Sequence, residues 1–474
     1  MITLRRTKIV ATLGPAVTSS DTMLEKLIEH GINVARFNMS HGTQADHADT
    51  FNRVKKASEK TGKLVAMMAD IRGPKIRTGM LKDGKVTLVA NDKITLTTRN
   101  IVGEGKLIPV DYPKFTSMVH VKSKVFLADG AYELEVLSID GTEIECLVII
   151  GGDLGNRKGV NVPHVALDLP SLSEKDISDV EFAVKMGFDF IAQSYVRDAK
   201  DVMELRAMLE RLGSDAQIIA KIEDAAGFHN LNEIVHVADG LMVARGDLGV
   251  QLPIEDIPTI QKHMVMLAKK AGKPIIIATQ MLESMIKNPV PTRAEASDVA
   301  NGVIDGADAL MLSGESASGA YPLKAVEMMD RVIRKAEGTL ASYNLMKEFD
   351  GSFQLTVPQA IAKSVCFTAK DLKANAIVTY TSAGHTPRFI SKYRPFTPIL
   401  AITPNKRELG KLQLIWGVNP ILVEQPKDTD DLVSKCVEQA IKKDLVAQGD
   451  LLVITGGIPL DIAGNTNFMK VHVV

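Results

Sequence analysis

Cysteine is scarce in this chain, and the three present, Cys146, Cys366 and Cys436, stand far apart. An odd count with no CxxC pair argues against a disulfide framework or a zinc site, and points to a reducing, cytoplasmic home. Net charge is missing too. The 56 lysines and arginines face 57 acids, so the overall balance gives no reason to expect nucleic acid or a membrane surface as partner. No segment reaches the roughly 18 uninterrupted apolar residues of a spanning helix. The basic start MITLRRTKIVATLGP breaks at Gly14 and Pro15, too early for a signal peptide. What is there is a chain of 474 residues, 45% hydrophobic, too long for a single core and apolar enough to build two or three.

The stretch Ile218 to Asp224, IIAKIED, organises the rest. A buried-strand run leads into Lys221 and Glu223, and a spacing of two on extended backbone puts both side chains on one side. A fixed cation beside a carboxylate suits a substrate oxygen and a hard metal ion. A surface salt bridge explains the heptapeptide alone equally well. The pattern, however, recurs. VARF holds Arg36 and leads to Asn38, Ser40 and His41; LVAMMA leads to Asp70, Ile71 and Arg72; DFIAQ ends at Ser194. GLMVA precedes Arg245, Gly246 and Asp247; PIIIA precedes Thr279 and Gln280; DALML precedes Ser313 and Glu315. Parallel strands with helices between them send all these ends to one face.

Eight such strands, at Ile9, Val34, Val65, Phe190, Ile218, Met242, Ile275 and Leu310, indicate an α/β fold closed as a (β/α)8 TIM barrel. An open doubly wound sheet is the competitor; it would not usually need polar residues after every strand. Asp21 is the expected cap of the first long helix, and Gly62 the stop of the second. After the third strand the text changes to β-sized pieces such as KVTLVA, KITLTT, YELEVL and EIECLVII. That change marks an inserted all-β lid domain of roughly 90 residues. The expected division is 1–72 barrel, 73–163 lid, 164–345 barrel and 346–474 a C-terminal α/β domain for regulation and oligomerisation. A linker is expected near Glu348 to Phe353, and a long C-terminal helix through Val446. The loops TSAGHT and GGIPLDIAGNTN suit a phosphate, although ordinary turn chemistry gives the same letters.

Nine segments taken together resemble the pyruvate kinase family over essentially the whole chain: TKIVATLGPA, NVARFNMSHG, DIRGPKIRTG, GVNVP with DLPSLSEKD, IIAKIED, MVARGDLGV, IIIATQMLESM, PTRAEASDVANGVIDGADALMLSGESA and GNTNFMKV. The resemblance implies transfer of a phosphoryl group from phosphoenolpyruvate to ADP, giving pyruvate and ATP in glycolysis, a reaction that calls for positioning and charge neutralisation. It implies Mg2+ or Mn2+ on Glu223 and Asp247. Lys221, Thr279 and Arg36 become the catalytic set, and Arg36, Lys221, Gly246, Asp247 and Thr279 the substrate contacts. Asn38, His41 and Arg77 become nucleotide contacts, and Gln280, Ser313 and Glu315 candidates for a proton relay. A homotetramer and a sugar-phosphate or nucleotide effector in the C-terminal domain are also implied.

The match departs in three places. Many members bind K+ through positions matching Asn38, Ser40, Asp70 and the Ile71 carbonyl, with a glutamate where this chain has Lys75. An ammonium there can supply the missing charge, so K+ is expected not to be required. Asp198 stands where animal members carry a nucleotide-binding lysine, and Ala383 to Thr386 replace a Ser-Gly-Arg-Ser effector loop, which argues against fructose bisphosphate. Two other readings are another metal-dependent, enolate-handling TIM barrel, such as a pyruvate aldolase or lyase, and a non-catalytic phosphometabolite sensor. The first leaves the β insertion unexplained, and intact Lys221, Glu223, Asp247 and Thr279 oppose the second.

Overall fold

The computed structural model describes residues 4–163, 169–340, 355–460 and 464–474; the expected linker at Glu348 to Phe353 lies outside them. Eight short parallel strands close on themselves in sequence order: Lys8–Thr12, Val34–Asn38, Ala66–Ile71, Phe190–Gln193, Gln217–Ile222, Gly240–Ala244, Ile275–Ala278 and Ala309–Leu312. The open-sheet alternative is thereby excluded, since the first strand pairs with both the second and the eighth. Almost every residue in these strands is buried, as expected where helices cover the outside and side chains fill the inside. Inside, Ala66, Ala192, Ala278 and Ala309 alternate with the bulkier Met68, Phe190, Met242 and Met311. Leu414 from the C-terminal part joins that interior cluster and helps seal the barrel floor.

Helix boundaries follow local hydrogen bonding. Thr43, Ser173 and Thr292 each form a capping box with an acid three residues on, Asp46, Asp176 and Glu295. Gly62, at φ 66°, ends the second long helix as expected. The cap of the first is not Asp21 but Ser20, whose hydroxyl accepts from the Met23 amide. Asp21 is engaged instead by Arg53 at 2.7 Å.

Between the third and fourth barrel strands lies the β insertion, with its own apolar core around Leu96, Val125, Leu134 and Ile144. A six-stranded sheet is joined by a two-stranded one. The sequence reading missed Leu107–Pro109, Gly152–Gly155 and Val160–Asn161, which hold only two to four residues each. At its root, the Gly73 amide donates to Asp176 Oδ1 at 3.0 Å, and a Cβ there would lie 2.8 Å from that of Ser194.

The C-terminal part is a five-stranded sheet, ordered Val418–Leu422, Ile399–Thr403, Ala376–Tyr380, Leu451–Gly457 and Thr466–Val473. Two differences from expectation occur here. The long helix stops at Lys442 rather than Val446, because Asp444 takes φ 54° and Leu445 turns back to bond the Ala440 carbonyl. Thr466–Val473 adds an antiparallel edge strand that the sequence did not announce. Cys146, Cys366 and Cys436 are all free and buried. Among the described residues no helix is long and apolar enough to cross a membrane.

Candidate active site

The C-terminal ends of the barrel strands open into one cavity of about 1410 Å3 beneath the β insertion. Arg36, Asn38, Ser40, His41, Asp70, Lys75, Arg77, Lys221, Glu223, Gly246, Asp247 and Gln280 all line it. Thr279 lies directly behind Gly246, whose amide donates to the threonine hydroxyl at 2.8 Å. Ser313 and Glu315 do not reach the cavity. Glu315 is instead a clamp, accepting from the Leu282 amide at 3.0 Å and the Ser313 amide at 2.7 Å.

Asp70, 2% exposed, is the hub. Its Oδ2 accepts from Arg36 Nε at 2.7 Å and its Oδ1 from Lys221 Nζ at 3.0 Å. Arg36 also donates to Thr12 Oγ1, which donates on to the Leu312 carbonyl. Lys221 reaches Ser194 Oγ at 2.6 Å and Glu223 Oε1 at 2.9 Å. A single chain of hydrogen bonds, charge-assisted from Thr12 onward, thus ties the eighth, first, second, third and fifth strands together.

Burial works against an ionised Asp70, but Arg36 and Lys221 outweigh it and hold the carboxyl below its ordinary range. For Lys221 burial opposes the charge as well, and Asp70 with Glu223 more than compensates, so the ammonium is firmly retained. Glu223 is the opposite case. Burial, helped by the charge of Asp247, pushes it up to about 7 despite Lys221.

The two carboxylates are unequally engaged. Glu223 Oε2 accepts from the Tyr195 amide at 2.9 Å while Oε1 faces Lys221. Asp247 is held only loosely, by Tyr195 Oη at 3.3 Å and Lys75 Nζ at 3.6 Å. Among the described residues no cluster of three or more His, Cys, Asp or Glu could hold a metal ion. A divalent ion here would take these two oxygen donors and complete its shell from substrate and water, as a hard cation does.

Backbone strain marks the same region. Thr279 sits at φ 66° and Gln280 at φ 55°, a conformation that is exceptional for a β-branched residue. Arg245 holds it there: Nη2 donates to the Thr279 carbonyl at 2.6 Å, while Nη1 is fixed by both oxygens of Asp298. The tripeptide Arg245-Gly246-Asp247 is therefore built into the barrel mouth.

At three of the four positions matching the family's K+ ligands, Asn38, Asp70 and Ile71, the oxygens already accept hydrogen bonds. Asn38 Oδ1 accepts from the Ser40 amide, the Ile71 carbonyl from Ser194 Oγ, and Asp70 from two cations. Lys75 turns to Asp129 at 2.6 Å and lies 5.9 Å from the centre of the Tyr195 ring. Lys75, at the root of the insertion, thus bridges Asp129 within the insertion and Asp247 at the barrel mouth. No sequence pattern announces the Lys75–Asp129 contact, since Asp129 is one acid in a turn 54 residues away. Arg77 presents a buried Nη1 without a partner to the cavity wall. Asp198 caps the helix Ala199–Arg211, accepting from two amides. Arg72, Arg99, Arg157 and Lys158, to which the sequence reading gave no role, add positive charge to the cavity.

Fold and cavity define a barrel enzyme with a β insertion, whose cleft combines clustered cations with one half-exposed carboxylate, Asp247, and one buried one, Glu223. Residues 4–326 match the family model for the pyruvate kinase barrel domain and residues 359–472 that for the pyruvate kinase alpha/beta domain. The pyruvate kinase of Sporosarcina psychrophila is 44% identical over 474 residues, spanning 99% of this chain and 81% of that one. That of Geobacillus stearothermophilus is 45% identical over 99% of this chain and 80% of its own. A crystal structure of a pyruvate kinase from Cryptosporidium parvum superposes with a TM-score of 0.94 at 37% identity, covering 99% of this chain and 96% of the other. The chain belongs to the pyruvate kinase family, the phosphotransferases of glycolysis.

Proposed function

We propose that this enzyme transfers the phosphoryl group of phosphoenolpyruvate to ADP, with Lys221, Arg36 and Thr279 as its catalytic residues. The observation that carries this reading is the meeting of Lys221, Glu223, Asp247 and Arg36 in one cleft under the β insertion. The bond from phosphorus to the enol oxygen breaks, a bond to a terminal ADP oxygen forms, and the methylene carbon of the enolate takes a proton. Lys221 neutralises charge on the phosphoryl group in flight and on the enolate oxygen, where a preorganised cation acts most strongly. Arg36 orients the phosphoryl group with its planar fork. Asp70 is the positioning residue that aims both.

Glu223 and Asp247 fit a divalent ion, Mg2+ or Mn2+, which when bound supplies Lewis-acid polarisation of the substrate oxygens. Gly246 and Asp247 lie at the place of the substrate carboxylate, and Thr279 beside the carbon to be protonated. Gln280 is the relay candidate that faces the cleft, whereas Ser313 and Glu315 support it from behind. Asn38, His41 and Arg77 hold the nucleotide phosphates.

The same reading takes 1–72 and 164–345 as barrel, 73–163 as lid and 346–474 as a regulatory and oligomerising domain. It gives a cytoplasmic homotetramer answering to a sugar-phosphate or nucleotide effector. Lys75, already charged at the cleft, makes K+ dispensable. Lactate-dehydrogenase-coupled turnover of phosphoenolpyruvate with ADP tests the central claim; a purified, folded chain that forms no pyruvate refutes it.

A further inference from the structure

The fourth barrel strand, Phe190–Gln193, carries just past its end a buried polar residue that neither the sequence pattern nor the proposed mechanism uses. Tyr195 is 8% exposed and takes φ 54°, a left-handed turn that is uncommon for a bulky residue and stores local strain. Val196 then returns to the barrel, its amide donating to the Lys221 carbonyl at 3.3 Å. The kink aims the Tyr195 amide at Glu223 Oε2, 2.9 Å away, and the ring carries the hydroxyl to Asp247 Oδ1 at 3.3 Å. Tyr195 thus touches both acids of the cleft, which follow two different strands.

Which oxygen of Asp247 it touches decides what the acid can offer. Tyr195 Oη and Lys75 Nζ, the latter at 3.6 Å, both address Oδ1, whereas Oδ2 has no partner among the described residues. The ring also lies 5.9 Å from Lys75 Nζ, which favours keeping that ammonium on the Oδ1 side. Glu223 spends Oε1 on Lys221 and Oε2 on the Tyr195 amide. Single-oxygen capture by Asp247 therefore disturbs nothing. Capture by both of its oxygens costs the hydroxyl bond and sets the ion against Lys75.

That difference is a filter between ions. Mg2+ and Mn2+ accept single oxygens in an octahedral shell, while Ca2+ gathers about six to eight, often both oxygens of one carboxylate. We propose that Tyr195 is a positioning residue for the divalent ion: its hydroxyl engages Oδ1 of Asp247, presents Oδ2 alone, and biases the site against an ion that takes both. The inference deepens the proposed phosphoryl transfer and rests on its assignment of Glu223 and Asp247 to the metal.

The test reads metal binding in place of turnover. Electron paramagnetic resonance of free Mn2+ titrates the full chain with phosphoenolpyruvate and without ADP, and Mg2+ and Ca2+ are then added as competitors. Tyr195→Phe keeps the ring, the amide and the backbone turn and deletes only the hydroxyl. Tyr132→Phe, which loses a hydroxyl bond to the Asp153 carbonyl within the insertion, is the control for a loosened insertion. In Tyr195→Phe the dissociation constants of Mn2+ and Mg2+ should rise about 10-fold, as for loss of a group that orients a metal ligand, and that of Ca2+ by less than about threefold. The ratio of the Ca2+ to the Mg2+ constant then falls at least roughly threefold, and Tyr132→Phe leaves it in place. A ratio unmoved in Tyr195→Phe, whether all three ions weaken together or none does, overturns the inference, and so does an equal shift in Tyr132→Phe. Asp247→Asn separates the two layers of the argument. Mn2+ bound as tightly there as in wild type removes the metal assignment and the inference with it; binding lost there beside an unmoved ratio in Tyr195→Phe removes the inference alone.

Discussion

Replacing Lys221 by methionine isolates the cation from its packing, because a stem of four heavy atoms is kept, with sulfur in place of one methylene, while the ammonium goes. The ammonium stands 3.0 Å from Asp70, 2.9 Å from Glu223 and 2.6 Å from Ser194 Oγ, in a site where its side chain is 10% exposed. Removing one preorganised group that stabilises transition-state charge typically costs about 10²–10³-fold in kcat, or about 2.7–4 kcal/mol. Stability should fall less than the ~3–5 kcal/mol for a broken buried pair. Asp70 still has Arg36, and Glu223, already pushed up to about 7, can take a proton instead. The expectation is therefore a folded protein with Tm lowered by a few degrees, kcat down by about 10²–10³-fold, and KM for phosphoenolpyruvate changed far less. The acid limb of the rate profile should also move upward, since Glu223 has lost its nearest cation and competes harder for protons. The coupled assay across pH, with circular dichroism to confirm folding, reads all of this. A kcat within threefold of wild type refutes the role given to Lys221.

Substituting tetramethylammonium for sodium and potassium should leave the rate essentially unchanged, whereas Lys75→Glu, which removes the cation beside Asp129 and Asp247, should make turnover depend on added K+; collapse of the wild type refutes the first. Thr279→Gly relieves about 1–2 kcal/mol of left-handed strain but loses the bond from the Gly246 amide and adds unfolded-chain entropy, together about as much. Its Tm should move little while turnover drops at least roughly tenfold; unchanged turnover counts against Thr279. Lys8, fully buried, donates to the Val418 carbonyl, and burial lowers it from 10.5 to about 7. Between those values the unfolded chain binds the extra proton, so stability rises with pH across that window, by at most roughly 5 kcal/mol. The Tm of wild type minus that of Lys8→Met should climb from pH 7 to 10, and a flat difference refutes the assignment.

The barrel could be read because its strands are buried on both faces and so appear as unbroken apolar runs cut off by a polar residue, as IIA is by Lys221 or IIIA by Thr279. The lid could be read only in outline. Its longest strands, Tyr132–Asp140 and Glu143–Ile150, alternate visibly, but Gly152–Gly155 and Val160–Asn161 owe their conformation to their partners Lys85–Leu88 and Lys124–Leu127. Tertiary pairing decides such short pieces, and no local preference announces them. Thr466–Val473 escaped for a related reason, being a largely exposed edge strand with little buried pattern to show.

For the cleft, sequence spacing could place Lys221 beside Glu223 but could not rank the acids. Asp70 and Asp247 look alike in the sequence, each an aspartate at the end of an apolar strand. The structure separates them through their partners. Arg36 and Lys221 occupy both oxygens of Asp70, which leaves that carboxylate nothing to offer a metal except by releasing a buried cation. Asp247 has one long bond to a hydroxyl and a lysine 3.6 Å away, and its side chain is 31% exposed. A divalent ion arriving at the cleft meets the lower exchange cost at Asp247, whereas Glu223, its side chain 3% exposed, must give up the Lys221 or the Tyr195 contact to join it. Displacing Lys75 from Asp247 still leaves that ammonium bonded to Asp129 in the lid. On this reasoning metal binding loosens the contact of Lys75 with the barrel, because Asp247 is the barrel end of the Lys75 bridge and Asp129 its lid end. Asp129→Asn leaves Lys75 with Asp247 alone, so Mg2+ should bind the variant more weakly than wild type, and a Mg2+ titration that gives equal affinities refutes the reasoning.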